Sequence, residues 1–156
     1  KHGLLEHSLN VFHLADKIYT NILELKADKL QNISKDSIVI SALLHDICKV
    51  NFYEQTTKWK KDEYNQWITY NGYTIVDKFP FGHGEKSVIF LQMLGLQLNI
   101  DEMLAIRWHM GSWDGGLFTK ETKFAYDSAI NDYPLVTIIQ MADNCASLIL
   151  EETEKK

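Results

Sequence analysis

An apolar run that ends in a histidine and an aspartate constrains this chain more than any other feature of its sequence. Residues 38–44 read IVISALL, which predicts a helix that is hydrophobic on nearly all sides. His45 and Asp46 follow directly, so they leave the helix where its last turn meets the protein interior. Burying an unpaired carboxylate costs free energy, so such a group becomes neutral, pairs with a cation or binds a metal ion. The pair therefore predicts a functional site if other ligands lie nearby.

The composition fits one globular domain that covers residues 1–156. The chain is 46% hydrophobic and 24% charged, and its length suffices for a core that needs no disulfides or other staples. A formal charge of -5 argues against binding of duplex nucleic acid, which requires clustered Lys and Arg. Only Cys48 and Cys145 are present, which fits a reducing compartment. Without a long apolar segment or a signal peptide, the sequence predicts a cytoplasmic protein with no membrane partner.

Apolar periodicity predicts that most of the chain is helical. The first helix spans residues 4–25, with His7 on its apolar side and His13 among polar residues, so His7 is expected to point inward and His13 into solvent. Residues 26–33 are expected to be a polar connection, and Ser34 to start the helix that ends at His45. Further helices are predicted at 85–97, 99–110, 120–131 and from Pro134 to about 151. The helix at 99–110 is expected to begin with a capping box formed by Asn99 and Glu102 and to stop at Gly111.

Residues 51–81 have a different character, because aromatic and β-branched residues dominate there. Asn71-Gly72 separates two such runs, and this dipeptide favours a two-residue turn, so we predict a small antiparallel hairpin with its turn at that place. The segment is an insertion that is either a lid selecting substrates or a decoration. The three lysines on its first arm, Lys58, Lys60 and Lys61, are expected to be solvated rather than to contact an anionic substrate. The tryptophans Trp59, Trp67 and Trp108 are expected to pack against other side chains rather than to stack on bases.

Six side chains are candidate metal ligands because each is expected to point inward or lies where the backbone allows close approach. His83 stands between two glycines, and Asp143 lies inside the apolar stripe of the last helix, where a carboxylate needs a compensating partner. The full set is His7, His45, Asp46, His83, His109 and Asp143.

The order of these residues resembles that of the HD superfamily, whose pattern H…HD…D supplies one metal site and whose extended pattern H…HD…H…H…D supplies two. The resemblance covers residues 7–143 and includes the segments GLLEHS at 3–8, HDICK at 45–49 and MAD at 141–143. It implies an all-α HD helical bundle with a small antiparallel β-hairpin insertion. It also implies that the first metal is held by His7, His45, Asp46 and Asp143, and that Asp46 bridges to a second metal held by His83 and His109.

The same resemblance implies a metal-dependent phosphohydrolase that acts on a nucleotide or another small phosphate ester. One or two divalent ions would attract the phosphate and activate a water, and the mixed nitrogen and oxygen ligands suit Mn, Fe, Ni, Co or Zn. Asp46 and Lys49 are the predicted catalytic residues, with Lys49 holding a substrate phosphate. Trp113 and Asp114 are predicted to bind substrate at the pocket mouth. Many members of the superfamily carry glycine at the position of Cys48.

Four alternatives remain open at this stage. The site could hold a single metal, with His83 and His109 donating hydrogen bonds to the substrate. Some members with the same six-ligand order are di-iron oxygenases, and an HD module can also sense a nucleotide without turning it over. Exonuclease action on single strands is a further alternative, but the acidic charge and the lack of a basic track argue against it.

Overall fold

The computed structural model describes residues 3–113 and 119–151. These residues form seven α-helices, one two-stranded sheet and three short helical turns. The α-helices are α1 (Leu4–Leu25), α2 (Ala27–Leu30), α3 (Lys35–Leu44), α4 (His83–Met93), α5 (Ile100–Trp108), α6 (Lys120–Asp132) and α7 (Pro134–Cys145). The strands are β1 (Tyr53–Lys61) and β2 (Trp67–Ile75); 3-10 turns span Ile47–Lys49 and Gly111–Trp113, and a π-helical turn spans Ala146–Leu150. The prediction of a helical fold with a small antiparallel hairpin is confirmed.

The main hydrophobic core lies between α1, α3, α5 and α7. Side chains with almost no exposed surface fill it, among them Val11, Ile38, Ala105 and Ile139. Removing this apolar area from water is the principal force that holds the four helices together. The same four helices, together with α4, carry the six candidate ligands or end next to them, so the core fixes their relative positions.

The starts of α3 and α5 are tied together by a buried polar network. Ser34 caps α3 by accepting a hydrogen bond from the backbone of Ser37, and Asn99 and Glu102 form the predicted capping box of α5. The Ser37 hydroxyl also donates to the Glu102 carboxylate at 2.8 Å. Because α3 has 10 residues and α5 has 9, two helices joined at their starts end at nearly the same level. Their ends therefore bring His45 and His109 together.

Several predicted helix boundaries are wrong by a few residues. Helix α4 begins at His83 rather than at residue 85, and it ends at Met93 because Gly95 adopts a φ of 87°, which breaks the helix. The connection at 26–33 is not wholly polar, since it contains α2 and buries Leu30 and Ile33. Helix α5 ends at Trp108 rather than at 110, although Gly111 has the positive φ expected of a stop.

The turn of the hairpin does not lie at Asn71-Gly72. These two residues are inside β2, where they pair with Thr57 and Thr56 of β1. The strands are joined instead by residues 62–66, where Asp62 Oδ1 accepts hydrogen bonds of 2.9 Å from the backbone of Tyr64 and of Gln66. A side chain that caps its own turn in this way fixes the loop without a glycine. The register therefore follows from Asp62 rather than from the Asn-Gly dipeptide.

The expectation that three tryptophans pack in the interior holds only for Trp108, which is 5% exposed. Trp59 and Trp67, on the hairpin, are 64% and 65% exposed, because the two strands have no further layer against them in the described part of the chain. Lys61 lies 5.5 Å from the ring centre of Trp67. Lys58, Lys60 and Lys61 are all exposed on β1, as predicted.

No single helix among the described residues is long and apolar enough to cross a membrane. One pair of helices, Lys120–Asp132 and Pro134–Leu150, reaches that length and composition only when the two are taken together, and they meet at an angle of 100°.

Candidate metal centre

His45 and Asp46 occupy the end of α3 and are almost completely buried. His45 is 0% exposed and Asp46 is 2% exposed. The Nδ1–H of His45 donates to the carbonyl of Ala42 at 2.8 Å. Because a carbonyl can only accept, the proton lies on Nδ1 and the lone pair of Nε2 faces the centre of the site.

His109 repeats this arrangement at the end of α5. Its Nδ1–H donates to the carbonyl of Ile106 at 2.7 Å, and its ring centre is 4.7 Å from that of His45. The Nε2 atom of His109 is buried and makes no hydrogen bond with any described residue. Such an unsatisfied nitrogen is costly unless something else fills its place, and a metal ion would do so.

His7 reaches the same centre from α1, as predicted, whereas His13 on the same helix is exposed. His7 Nδ1 donates to the carboxylate of Glu151 at 2.8 Å. Its Nε2 lies 3.1 Å from the Nε2 of His45 and 3.2 Å from Asp143 Oδ1. Two ring nitrogens that face each other at this distance repel unless a proton or a metal ion lies between them.

His83 approaches from the opposite side, as the first residue of α4. Its Nε2 is 2.5 Å from Asp46 Oδ1, and its Nδ1 is 3.0 Å from the sulfur of Cys48. The backbone of α4 can come this close because Gly84 lies directly against the carbonyl of Arg107 on α5, where a Cβ would overlap it. The glycine after His83 thus permits the contact that brings α4 to the end of α5.

Asp46 lies between two pairs of histidines and presents a different oxygen to each. Oδ2 is 3.5 Å from His7 Nε2 and 3.6 Å from His45 Nε2. Oδ1 is 2.5 Å from His83 Nε2 and 3.5 Å from His109 Nε2. This is the arrangement expected of a carboxylate that bridges two ions.

The spacing of the ligand atoms suits transition metals. Ligands at about 2.1 Å from one ion lie roughly 3.0–3.4 Å from one another in octahedral or tetrahedral geometry. His7, His45 and Asp143 form one group whose ligand atoms all lie within 4.8 Å, and His45, Asp46 and His109 form a second. The residues present therefore fit a divalent metal, and His45 belongs to both groups.

The pKa shifts of His45, Asp46 and Asp143 favour the forms that bind metals. Burial lowers the pKa of His45 to about 4, with a further contribution from His109, so this ring is neutral at pH 7. Burial opposes the ionisation of Asp46, but His109, His83, His45 and Lys49 outweigh it and hold the pKa of Asp46 far below its usual range. The pKa of Asp143 is lowered as well, because His7 and the other rings offset its burial. Neutral imidazoles and ionised carboxylates are the forms that bind metals. For His7 the shift is opposite: Asp143 and Glu151 outweigh burial and raise the pKa of His7, so an ion there must displace a proton.

A cavity of about 530 Å³ opens beside Asp46. Lys49, the predicted phosphate-binding residue, lines it and donates from Nζ to Asp46 Oδ2 at 2.6 Å. Burial lowers the pKa of Lys49, but Asp46 raises it by more, so the amine stays charged. The residues that line the cavity are Gly3, Leu4, His7, Asp46, Lys49, Tyr53, Met110, Asp143, Ser147 and Glu151.

Of the two residues predicted to bind substrate at the pocket mouth, the structure describes only Trp113. The side chain of Trp113 is 78% exposed and does not line the cavity, and Asp114 lies outside the described residues. The contact of Asp114 with substrate therefore stays a prediction.

Some residues around the site were not identified from the sequence. Glu151 follows a π-helical turn and holds His7, but it stands in a charged C-terminal stretch that carries no periodic signal. Tyr53 reaches the cavity from the first position of β1, and an aromatic residue that starts a strand does not predict a site. The role of Cys48 is not visible in the sequence, because its contact with His83 depends on the fold.

Comparison with protein families gives a clear result. The model of the HD domain family matches residues 4–148, so the chain belongs to the HD domain family. Proteins of this superfamily are generally metal-dependent hydrolases, and HD domains bind divalent metals. The predicted superfamily is therefore confirmed. Neither curated proteins nor solved structures gave a match to this chain.

The pKa of His83 predicts how metal binding at its side of the centre varies with pH. Burial alone would lower this pKa, but the contacts with Asp46 and Cys48 raise it to about 9. An incoming ion must displace that proton, so we expect apparent affinity to rise about tenfold per pH unit up to pH 9 and then to level off. Competition titrations with a coloured chelator between pH 6 and 10 measure this dependence. Levelling off near pH 6.5, the value of an unperturbed histidine, would contradict it.

Proposed function

We propose that this chain is a metal-dependent phosphohydrolase that acts on a nucleotide or another small phosphate ester. The observation that carries the proposal is the division of the Asp46 carboxylate between two pairs of histidine Nε2 atoms, next to a cavity that also contains Lys49. Nitrogen and carboxylate ligands in this arrangement suit Mn, Fe, Co, Ni or Zn.

The ligand set is divided between two sides of Asp46. His7, His45 and Asp143 would hold a first ion together with Oδ2 of Asp46, whereas His83 and His109 would hold a second together with Oδ1. When bound, the ions supply positive charge that acidifies a water and attracts phosphoryl oxygens. Asp46 would keep the two sides at a fixed separation, because its carboxylate is 2% exposed and is surrounded by histidine rings.

Lys49 has a separate role in the proposal. Its amine lies at the cavity rather than deep among the histidines, since its side chain is 36% exposed while Asp46 is buried. A metal ion at Asp46 competes for the same carboxylate, so Lys49 would be released to donate to a phosphate oxygen. Holding the phosphate in this way would orient it in the cavity and offset negative charge that develops during cleavage.

The size and charge of the cavity support a small, anionic substrate. About 530 Å³ lies within the range of pockets that bind nucleotide-sized ligands. The cavity is lined by three carboxylates and one amine, which belong to Asp46, Asp143, Glu151 and Lys49. With the carboxylates engaged by ions and by His7, the cavity would present net positive charge to a phosphate. Duplex nucleic acid does not fit the acidic chain as a whole, and we propose no membrane partner.

The test is hydrolysis by protein loaded with a defined metal. Purified protein is stripped with a chelator, reloaded with Mn, Co, Ni or Zn, and assayed against nucleoside mono-, di- and triphosphates, cyclic dinucleotides and p-nitrophenyl phosphate. We expect a hydrolysis product from at least one substrate, detected as released phosphate or p-nitrophenol or by chromatography of the nucleotides, and none from the stripped protein. Protein that binds two ions per chain yet cleaves nothing in the panel would overturn the proposal.

A further inference from the structure

All four histidines of the centre present Nε2 inward, and each has a partner for its other ring nitrogen. For His45 and His109 that partner is a backbone carbonyl three residues earlier, and for His7 it is the carboxylate of Glu151. For His83 it is the thiol sulfur of Cys48, at 3.0 Å from Nδ1. A metal-binding histidine is oriented by the group that contacts its second nitrogen, and loss of that group typically weakens metal binding about 10- to 100-fold.

The thiol is held in place by the fold rather than by chance contact. Cys48 is 5% exposed and lies in the short 3-10 turn that follows Asp46. Its backbone N–H donates to the hydroxyl of Ser87 at 3.3 Å, and Ser87 is completely buried. Ser87 is four residues after His83, so both lie on the same face of α4. The backbone of Cys48 is thus fixed to the helix turn that carries His83, and the side chain has little freedom to leave the ring.

We propose that Cys48 is a positioning residue for His83: its sulfur accepts a hydrogen bond from the Nδ1–H of His83 and thereby keeps Nε2 directed at Asp46 Oδ1. The inference rests on the proposed metal centre and specifies one of its supporting contacts. Binding of the ion on the His83 and His109 side then depends on this cysteine, whereas binding on the His7 and Asp143 side does not.

A difference in affinity between the two ions follows from the chemistry of the partners. Sulfur is a weak hydrogen-bond acceptor, whereas a backbone carbonyl and a carboxylate are strong ones. His83 is also the most exposed of the four histidines, at 29% for the side chain, against 12% for His7, 1% for His109 and 0% for His45. The ion beside His83 should therefore be the more weakly bound of the two.

The experiment compares Cys48→Ala and Cys48→Ser with the unsubstituted chain. Co(II) is titrated into stripped protein, and the visible absorption and calorimetric heat of each equivalent are recorded. For Cys48→Ala we expect the first equivalent to bind as before and the second to bind about 10- to 100-fold more weakly, with a changed cobalt spectrum for that equivalent only. Cys48→Ser supplies a hydroxyl that accepts from Nδ1–H, so it should restore most of the second affinity.

Cys145→Ala is the matched control. Cys145 also lies two residues beyond a predicted ligand, and in the described part of the chain no hydrogen bond joins it to the centre. The Cys145→Ala variant should bind both equivalents of Co(II) with the affinities of the unsubstituted chain. Melting temperatures of all variants show whether each is folded, and Cys48→Ser preserves the size of the side chain if Cys48→Ala does not fold.

Each outcome decides the inference. Equal affinities for the second Co(II) in Cys48→Ala and the unsubstituted chain would overturn it, as would a folded Cys48→Ser that binds the second ion no better than Cys48→Ala. If the unsubstituted chain binds two ions and hydrolyses no phosphate ester, the proposed function is overturned. The role of Cys48 is then decided by the Co(II) titration alone. If the unsubstituted chain binds only one ion, the inference about Cys48 is overturned, and if it binds no ion at all, both proposals are overturned.

Discussion

Asp46→Asn is expected to reduce hydrolysis by roughly 10³-fold or more in kcat/KM, equivalent to about 4 kcal/mol of transition-state stabilisation. Both carboxylate oxygens face histidine nitrogens, one pair on each side, so a single amide replaces the ligand that the two ions share. An amide keeps the shape but loses the charge, and its NH₂ group cannot coordinate. We therefore expect the metal content, measured by plasma emission spectroscopy, to fall below one ion per chain.

Asp132→Asn is the control for this substitution. It makes the same chemical change at the exposed end of α6, and it should leave activity and metal content unaltered. Circular dichroism at 222 nm would establish that the Asp46 variant remains helical. Two tightly bound ions in a folded Asp46→Asn chain would show that this carboxylate does not bridge them.

Lys49→Gln is expected to lower kcat/KM about 10²-fold while both metal ions are retained. The amine is proposed to donate to a substrate phosphate, and removing one donor that stabilises developing charge commonly costs this amount. The amine contacts Asp46 Oδ2 at 2.6 Å, so its loss removes a competitor for the carboxylate and should not weaken metal binding. Steady-state kinetics on the best substrate of the panel, together with inhibition by inorganic phosphate, measure the effect.

Lys17→Gln serves as the control for Lys49, since Lys17 is exposed on α1. It removes one positive charge of the chain without touching the cavity and should leave both kinetic constants unchanged. Phosphate should inhibit the Lys49 variant less strongly than the unsubstituted chain. Unchanged phosphate inhibition together with unchanged kcat/KM would remove Lys49 from the proposed mechanism.

The elements with strong local signals were predictable from the sequence. The bounds of α1 match the prediction at both ends, and the caps at Ser34 and Asn99 lie where the sequence places them. Capping depends on side chains within three residues, so a local pattern is enough to identify it. The prediction of the hairpin turn was wrong because two segments carry turn signals. The turn forms at residues 62–66, where Asp62 accepts two backbone hydrogen bonds, and Asn71-Gly72 lies inside the second strand.

The supporting contacts of the site were not predictable in the same way. Glu151 lies 144 positions from His7, and the pairing of Cys48 with His83 crosses 35 positions that include the whole hairpin. Trp59 and Trp67 are likewise exposed because, in the described part of the chain, no second layer packs against the two-stranded sheet. No periodicity within a helix or strand encodes contacts of this kind.

By itself, the sequence determined the residue types and their order: four histidines and two aspartates, a helical chain with one β-rich insertion, and the apolar stripes that bury the ligands' side of each helix. Only the tertiary structure decided which oxygen of Asp46 faces which histidine, and which group holds the outer nitrogen of each ring. The physical reason is that ligand identity follows from chemistry along the chain, whereas ligand direction follows from how α1, α3, α4, α5 and α7 pack. Joining the starts of α3 and α5 through Ser37 and Glu102 sets where their ends meet, and that meeting point is the centre.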